Sequence, residues 1–276
     1  MNTSDIQHRL WDVELEILDF FHSICIDHNL KYSLAYGTLL GAIRHEGFIP
    51  WDDDIDVMMP RDDYNRFLKI WNDVNHDGYV LTDENCSSEY NNNFAKIRKD
   101  HTTFLQAWKQ KDSDFHEGIF IDIFPVDRKA SGKIGTKIQF GFFAINLLYN
   151  RGYPSKAHGI RLHIEKTLLK IVPKSLHRRV SKAASDISQL WNNNTNNLMV
   201  APCTINDCTI YYPSNLFDQL LFVKFQNREY YAVANYDIAL ASEYGDYMQL
   251  PPEEERVWKH HPVLIDFEHN IEELDI

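Results

Sequence analysis

Residues 52–59, with the sequence DDDIDVMM, place four aspartates and four apolar residues in one short segment. An acidic run is usually a solvated turn, but the interleaved apolar side chains predict that this segment is buried. We therefore predict a short strand over residues 55–58, which Pro60 ends. Because alternate side chains of a strand point the same way, Asp54 and Asp56 are expected to share one face.

Two carboxylates about 6–7 Å apart on one strand can bind one or two hard cations from the same side. Mg²⁺ uses one or two carboxylates and takes its other ligands from water and substrate phosphates. An EF-hand calcium loop fits poorly, because Val57 stands where that loop needs glycine and Asp63 where it needs glutamate. Mg²⁺ or Mn²⁺ is therefore the expected cofactor, and a solvated acidic turn is the alternative.

A third acid, Asp122, lies in the apolar run GIFIDIF at residues 118–124. A carboxylate within such a strand is costly unless it is paired, neutral or bound to metal. If this strand neighbours the one that carries Asp54 and Asp56, three carboxylates converge on one cation. These three are the candidate catalytic and metal-binding residues. The alternative for Asp122 is a core acid bonded to Arg98.

Gly37-Thr38 forms a turn that opens a helical pattern. Such a turn exposes backbone N–H groups and the positive end of the helix dipole, both of which suit phosphate. Three basic residues are candidates to neutralise phosphate charge, namely Arg44, Lys96 and Arg98. The two arginines could equally well form structural ion pairs. Further candidates for the walls of the pocket are His45, Trp51, Asp52, His260 and His261.

The order of elements before residue 130 is predicted as helix, strand, helix, strand, helix and three strands, which indicates an α/β (α+β) fold with a mixed sheet flanked by helices. Residues 133–199 are predicted to form two or three helices, broken near 152–154 and at Pro173. A β hairpin is expected within 205–233, followed by a helix over 236–244. We predict a catalytic core over 1–132, a helical acceptor-side region over 133–204 and a C-terminal segment, 205–276, that packs back on the core.

Composition narrows the class of function. The 276 residues carry a net charge of −12, which argues against a nucleic-acid partner. The 4 cysteines have irregular spacing, which fits a reducing compartment and no zinc site. The N-terminal segment lacks a signal-peptide core, and the apolar stretch at 138–149 is too short to span a bilayer. We expect a cytoplasmic protein that contacts the inner face of the membrane peripherally.

The segment 36–64 resembles the LicD family of phosphotransferases, which includes the fukutin-related proteins. The resemblance continues at Ala95-Lys96-Ile97-Arg98, across 118–125, and at Tyr244-Gly245-Asp246-Tyr247-Met248. It implies a nucleotidyltransferase-type core in which the glycine turn, the Asp-x-Asp pair and a third acid form the active site. These roles fall on Gly37-Thr38, on Asp54 and Asp56, and on Asp122.

Bacterial members of that family transfer phosphocholine from CDP-choline to teichoic acid or another surface glycan, which implies a CDP-linked donor and a glycan acceptor, in some cases lipid-linked. Animal relatives transfer ribitol phosphate, and their cysteine zinc site has no counterpart in this cysteine spacing. The resemblance therefore favours phosphocholine transfer with release of CMP. The alternatives are a nucleotidyltransferase that modifies a small-molecule hydroxyl and a non-catalytic nucleotide-binding protein of the same fold.

Overall fold

A computed structural model describes residues 3–84, 86–87, 90–106, 115–155 and 158–274. The helices are α1 (Thr3–Asp27), α2 (Tyr36–His45), α3 (Arg61–Ile70), α4 (Gly132–Arg151), α5 (Gly159–Ile171), α6 (Lys174–Ser188) and α7 (Tyr236–Tyr244). The strands are β1 (Ser33–Leu34), β2 (Asp56–Pro60), β3 (Tyr79–Thr82), β4 (Ala95–Lys99), β5 (Thr103–Gln106), β6 (Phe120–Arg128), β7 (Met199–Val200), β8 (Leu220–Phe225), β9 (Arg228–Val233) and β10 (Pro262–Asp266).

The chain divides into two compact units. The first contains residues 1–90, 94–124 and 216–276, and the second contains 91–93 and 125–215. In the first unit the main sheet has the strand order β1-β2-β6-β4-β3, with β4 antiparallel to both β6 and β3. This mixed sheet flanked by helices confirms the predicted fold class. The three domain boundaries drawn from the sequence remain a prediction.

Helix α1 supplies one wall of the core of the first unit. Its apolar residues recur at helical spacing, and Leu10, Ile17 and Phe21 are fully buried. The Phe21 ring meets the rings of Tyr32 and Phe67 edge-on. Burying each such side chain contributes about 1.5–3 kcal/mol, so this helix is held by packing over its length. The main sheet is therefore fixed from one face by a long amphipathic helix.

The second unit is mostly helical, as predicted, with α4 packed against α6. Helix α4 ends where Gly152 adopts a left-handed conformation with φ of 75°, and Pro173 separates α5 from α6. The buried amide of Gln139 donates to the carbonyls of Arg128 and Ser188 and accepts from the N–H of Ala130. This single side chain therefore ties α4 to the ends of β6 and α6.

The β structure in the last third differs in part from the prediction. The hairpin is confirmed, but β8 and β9 occupy only residues 220–233 of the 205–233 predicted for it. Strands β5 and β10, which were not predicted, pair antiparallel with Phe104 opposite Ile265. Their partners are more than 150 residues apart in the chain, so no local pattern indicates the pairing.

Candidate active site

Asp54 and Asp56 flank the start of β2. The strand was predicted to begin at Ile55, but it begins at Asp56, so Ile55 precedes it together with Asp54. The alternation nevertheless holds, because Ile55, Val57 and Met59 are fully buried in the core while Asp54 and Asp56 are partly exposed. The two carboxylates therefore lie on the opposite side from the core-facing residues, as alternate positions of an extended chain require.

Asp122 lies beside this segment. Its backbone N–H donates to the Ile55 carbonyl at 2.8 Å, which places β6 next to the residues that carry the other two acids. Its carboxylate forms a buried ion pair with Lys96, the residue opposite it on β4. The Lys96 ammonium also lies 3.5 Å from the centre of the Phe120 ring. Asp122 is therefore bonded to Lys96 and not to Arg98, the partner considered from the sequence.

Burial and neighbouring carboxylates raise the pKa of Asp54 and of Asp56. Burial is the main reason that the pKa of Asp54 rises to about 6; His260 opposes the rise, and Asp122 and Asp53 add to it. Burial also raises the pKa of Asp56 well above its usual range, with Asp54 and Asp122 contributing. His260 and Lys96 lower the pKa of Asp54 but do not offset the effect of burial and of the neighbouring acids. A bound cation would relieve this repulsion.

A buried acid that the sequence analysis did not select, Glu14, also faces this cluster. One turn before it on α1, the Trp11 indole donates to the Asp52 carbonyl at 3.0 Å, so this face of α1 covers the acidic loop. Glu14 Oε2 is buried and has no hydrogen-bond partner among the described residues. Burial, followed by Asp54 and Asp53, raises the pKa of Glu14 well above its usual range. The signal in the sequence was an acid within the apolar stripe of an amphipathic helix.

Asp53 has a different environment from its neighbours in the acidic run. It is fully buried, and its carboxylate accepts hydrogen bonds from the backbone N–H groups of Lys259 and His260, each at 3.1 Å. The His260 ring lies 3.3 Å from Asp53 Oδ1 and 3.8 Å from Asp54 Oδ2. Ligand atoms of Asp53, Asp54 and His260 all lie within 4.8 Å of one another. His260 therefore reaches the acidic loop, whereas His261 is exposed.

The acids of this grouping are not the set predicted from the sequence, since Asp56 and Asp122 do not belong to it. Both carboxylate oxygens of Asp53 accept hydrogen bonds from backbone N–H groups of residues 259 and 260, so we assign Asp53 a positioning role. Asp54 is common to both sets.

The predicted turn at Gly37-Thr38 is instead the first turn of α2, and it lies directly against the acidic loop. Helix α2 begins at Tyr36, and the Thr38 hydroxyl accepts a hydrogen bond from the Asp56 N–H at 2.8 Å. A Cβ atom on Gly37 would lie 2.7 Å from Asp52 Oδ2, so a larger residue at position 37 would displace that carboxylate. The N-terminus of α2 and the acids therefore form one continuous surface, with Asp52 placed between them.

The predicted basic residues are distributed more widely. Arg44 donates to the Tyr247 carbonyl at 2.8 Å, and the His45 ring meets Trp51 edge-on at 6.4 Å. The Arg98 side chain is 1% exposed, donates to the Gly118 carbonyl and faces Glu117 at 3.7 Å. The structure therefore brings Lys96, but not Arg98, to Asp122.

A mixed α/β sheet with clustered carboxylates beside the N-terminus of α2 is the arrangement that the resemblance implied for a nucleotidyltransferase-type core. A family model described as LicD/FKTN/FKRP, nucleotidyltransferase domain, matches residues 29–142. The chain is 32% identical over 252 residues to the lipopolysaccharide cholinephosphotransferase LicD of Haemophilus influenzae, covering 88% of this chain and 91% of the relative.

Two shorter matches are to uncharacterised proteins of Rickettsia. The protein from Rickettsia typhi is 30% identical over 141 residues, 48% of this chain and 43% of its own. The protein from Rickettsia prowazekii is 29% identical over 119 residues, 41% of this chain and 44% of its own. The chain belongs to the LicD family and is a phosphotransferase.

Proposed function

We propose that this phosphotransferase moves phosphocholine from CDP-choline to a hydroxyl of a cell-surface glycan, either a lipopolysaccharide or a teichoic acid, and releases CMP. The similarity over most of the chain to a lipopolysaccharide cholinephosphotransferase supports the transferred group. The observation that carries the chemistry is the cluster of the carboxylates Asp54, Asp56 and Asp122 next to the N-terminus of α2.

The donor set fits a hard divalent cation. It consists of carboxylate oxygens, which Mg²⁺ and Mn²⁺ prefer, and burial and mutual repulsion raise the pKa of Asp54 and Asp56. We propose that Asp54 and Asp56 hold the cation, with Asp122 as a third ligand or as the base. When bound, the cation would neutralise charge on the donor diphosphate and on the phosphoryl group in transfer.

The chain's own residues orient the two substrates in this proposal. The first-turn N–H groups of α2, at Gly37 and Thr38, bind a donor phosphate, because a helix N-terminus favours an anion. The Lys96 ammonium keeps the Asp122 carboxylate in place from the neighbouring strand. Asp122, if it is not a ligand, accepts the proton of the acceptor hydroxyl as that oxygen attacks the phosphorus next to choline.

The reaction can be tested with the full chain, CDP-choline, Mg²⁺ and either choline-free lipopolysaccharide or choline-free teichoic acid. We expect CMP to appear by chromatography together with phosphocholine on one polymer by mass spectrometry. Asp54→Ala, Asp56→Ala and Asp122→Ala should each lower turnover by at least about 100-fold. Nucleotide on the acceptor would show nucleotidyl transfer instead. Wild-type turnover in all three variants would refute the assignment of the site.

A further inference from the structure

We propose that the second unit binds an anionic phospholipid bilayer through an apolar and basic surface centred on α5. Three isoleucines recur along α5 at positions 160, 164 and 171, and this spacing places them on one side of the helix. Ile160 is 81% exposed, Ile164 is 53% exposed and Ile171 is 70% exposed. We call these three residues the α5 face. A row of exposed β-branched apolar residues on one helix is typical of an interaction surface.

The α5 face continues into an apolar groove. A cavity of about 370 Å³ is lined by side chains of both α4 and α5. Its α5 side consists of Ile160, Ile164 and Leu168. Phe140 and Leu147 are on its α4 side. Helix α4 itself exposes Ile134 at 77% and Ile138 at 49%. Apolar side chains of two adjacent helices are thus exposed among the described residues of this unit.

The charge around these helices is strongly basic. Residues 129–182 contain 12 Lys and Arg and a single acid, Glu165, although the whole chain carries a net charge of −12. That acid is buried and is already neutralised within the unit, because Arg161 binds it at 3.0 Å and Arg151 lies at 3.6 Å. Besides Arg161, the exposed cations on α4, α5 and α6 are Lys133, Lys137, Lys166, Lys170, Lys174, Arg178, Arg179 and Lys182.

This combination favours a lipid surface over the other polyanions that a basic patch can bind. Nucleic acid would engage the cations but would gain nothing from exposed isoleucines. At a bilayer the same helix places apolar side chains at the boundary between headgroups and acyl chains, while lysines and arginines meet anionic headgroups. The surface suits a helix lying on the bilayer, since none of the described helices has the length and apolar character to cross one.

The peripheral membrane contact predicted from the sequence is thus assigned to the α5 face and the cations of the second unit. It stands apart from the proposed chemistry, because none of its residues belongs to the acidic site. A failure of phosphocholine transfer would leave it untouched, and a failure of lipid binding would leave the chemistry untouched.

The test is co-flotation of the full chain with vesicles of phosphatidylcholine alone or with about 30% phosphatidylglycerol. We expect binding to the anionic vesicles, little binding to the neutral ones, and weakening as NaCl rises from about 0.1 M to about 0.5 M. The variant Ile160→Ser/Ile171→Ser should lower the partition coefficient at least about tenfold. Lys166→Glu/Lys170→Glu should also lower it.

A matched control removes two apolar side chains of similar exposure away from α5, in Leu190→Ser/Val263→Ser, and should bind as the wild type does. Equal loss in the control, equal binding to neutral vesicles, or no binding to either would overturn the proposal. Displacement by duplex DNA, with no effect of the isoleucine substitutions, would indicate nucleic acid instead.

Insertion of the α5 face itself can be measured with Ile164→Trp. Anionic vesicles should shift the emission of this tryptophan to the blue, and brominated acyl chains should quench it relative to the wild-type protein. Unchanged emission while the protein floats with the vesicles would place the contact elsewhere and contradict the proposal.

Discussion

Charged groups on two sides of Asp54 act on the pKa of its carboxyl. Asp53 and His260 act on its carboxylate from the 259–260 side, and Asp122 and Lys96 act on it from the sheet. The shared face of Asp54 and Asp56 could be predicted, because side chains alternate in any extended segment. Which aspartate of the run would be fully buried could not be predicted. That depends on backbone N–H groups more than 200 residues away.

The raised pKa of Asp54 makes a prediction about stability and pH in metal-free protein. Asp in an unfolded chain has a pKa of about 3.9, while burial raises that of folded Asp54 to about 6. Between these values the folded state binds more protons, so Asp54 lowers the free energy of unfolding as pH rises. Asp54→Asn should therefore gain stability relative to the wild type between about pH 4 and pH 6.

Urea denaturation in EDTA at several pH values measures this difference. The control is Asp77→Asn, which changes an exposed acid in a turn. A stability difference between Asp54→Asn and the wild type that stays constant over the same range would contradict the prediction.

Gly37 makes a second prediction at this scale. In Gly37→Ala the new Cβ would stand 2.7 Å from Asp52 Oδ2 and would displace that carboxylate. Because the Asp52 side chain can rotate away, we expect no gain in the free energy of unfolding from this helical Gly→Ala change and a lower rate of the proposed transfer. Gly141→Ala is the matched control, because nothing lies within 4 Å of its Cβ position in α4. The control should stabilise the protein by about 0.5–1 kcal/mol; equal stability changes in both variants would disprove the steric explanation.

Among the secondary-structure elements, α2 and β2 are joined by one side chain at the site. The buried Thr38 hydroxyl accepts the Asp56 N–H, so the helix that offers its N-terminus is fixed to the strand that carries the acids. The sequence predicted both elements from local signals, a glycine turn and an apolar run ended by proline. It missed β5 and β10, because each is four or five residues long and is defined by a partner distant in the chain.

Thr38→Val tests the tie between α2 and β2. Valine keeps the shape but leaves the Asp56 N–H without its acceptor, which should cost about 1–3 kcal/mol in the free energy of unfolding. Thr38→Ser retains the acceptor and should lose clearly less. The measurement is chemical denaturation at one pH, and similar losses in the two variants would show that the hydroxyl is not what matters.

Over the whole molecule, the two charge signs are segregated along the sequence. The acidic loop belongs to the first unit, while residues 129–182 of the second unit carry 12 of the 28 Lys and Arg residues. The fold class and the helical character of the second unit could be predicted from periodicity. The position of Glu14 in the site could not, because its role depends on α1 packing over the 50–52 loop.

Cation binding should be visible as global stabilisation. Mn²⁺ at about 100 times its dissociation constant should raise the free energy of unfolding by about 2.7 kcal/mol. Asp54→Asn/Asp56→Asn should remove most of this gain, whereas Asp77→Asn should keep it. Thermal denaturation with and without Mn²⁺ gives the comparison, and equal stabilisation of the double variant would exclude these two acids as ligands.

The hydrogen bonds between Asp53 and residues 259–260 determine how early during synthesis the site can form. Residue 53 leaves the ribosome long before its partners exist, since 206 and 207 positions separate them. Until then the aspartate that later becomes fully enclosed must remain hydrated, and His260 cannot approach Asp54. A nascent chain therefore has the acidic loop but not the complete site until residues 259 and 260 have been synthesised and have folded onto Asp53.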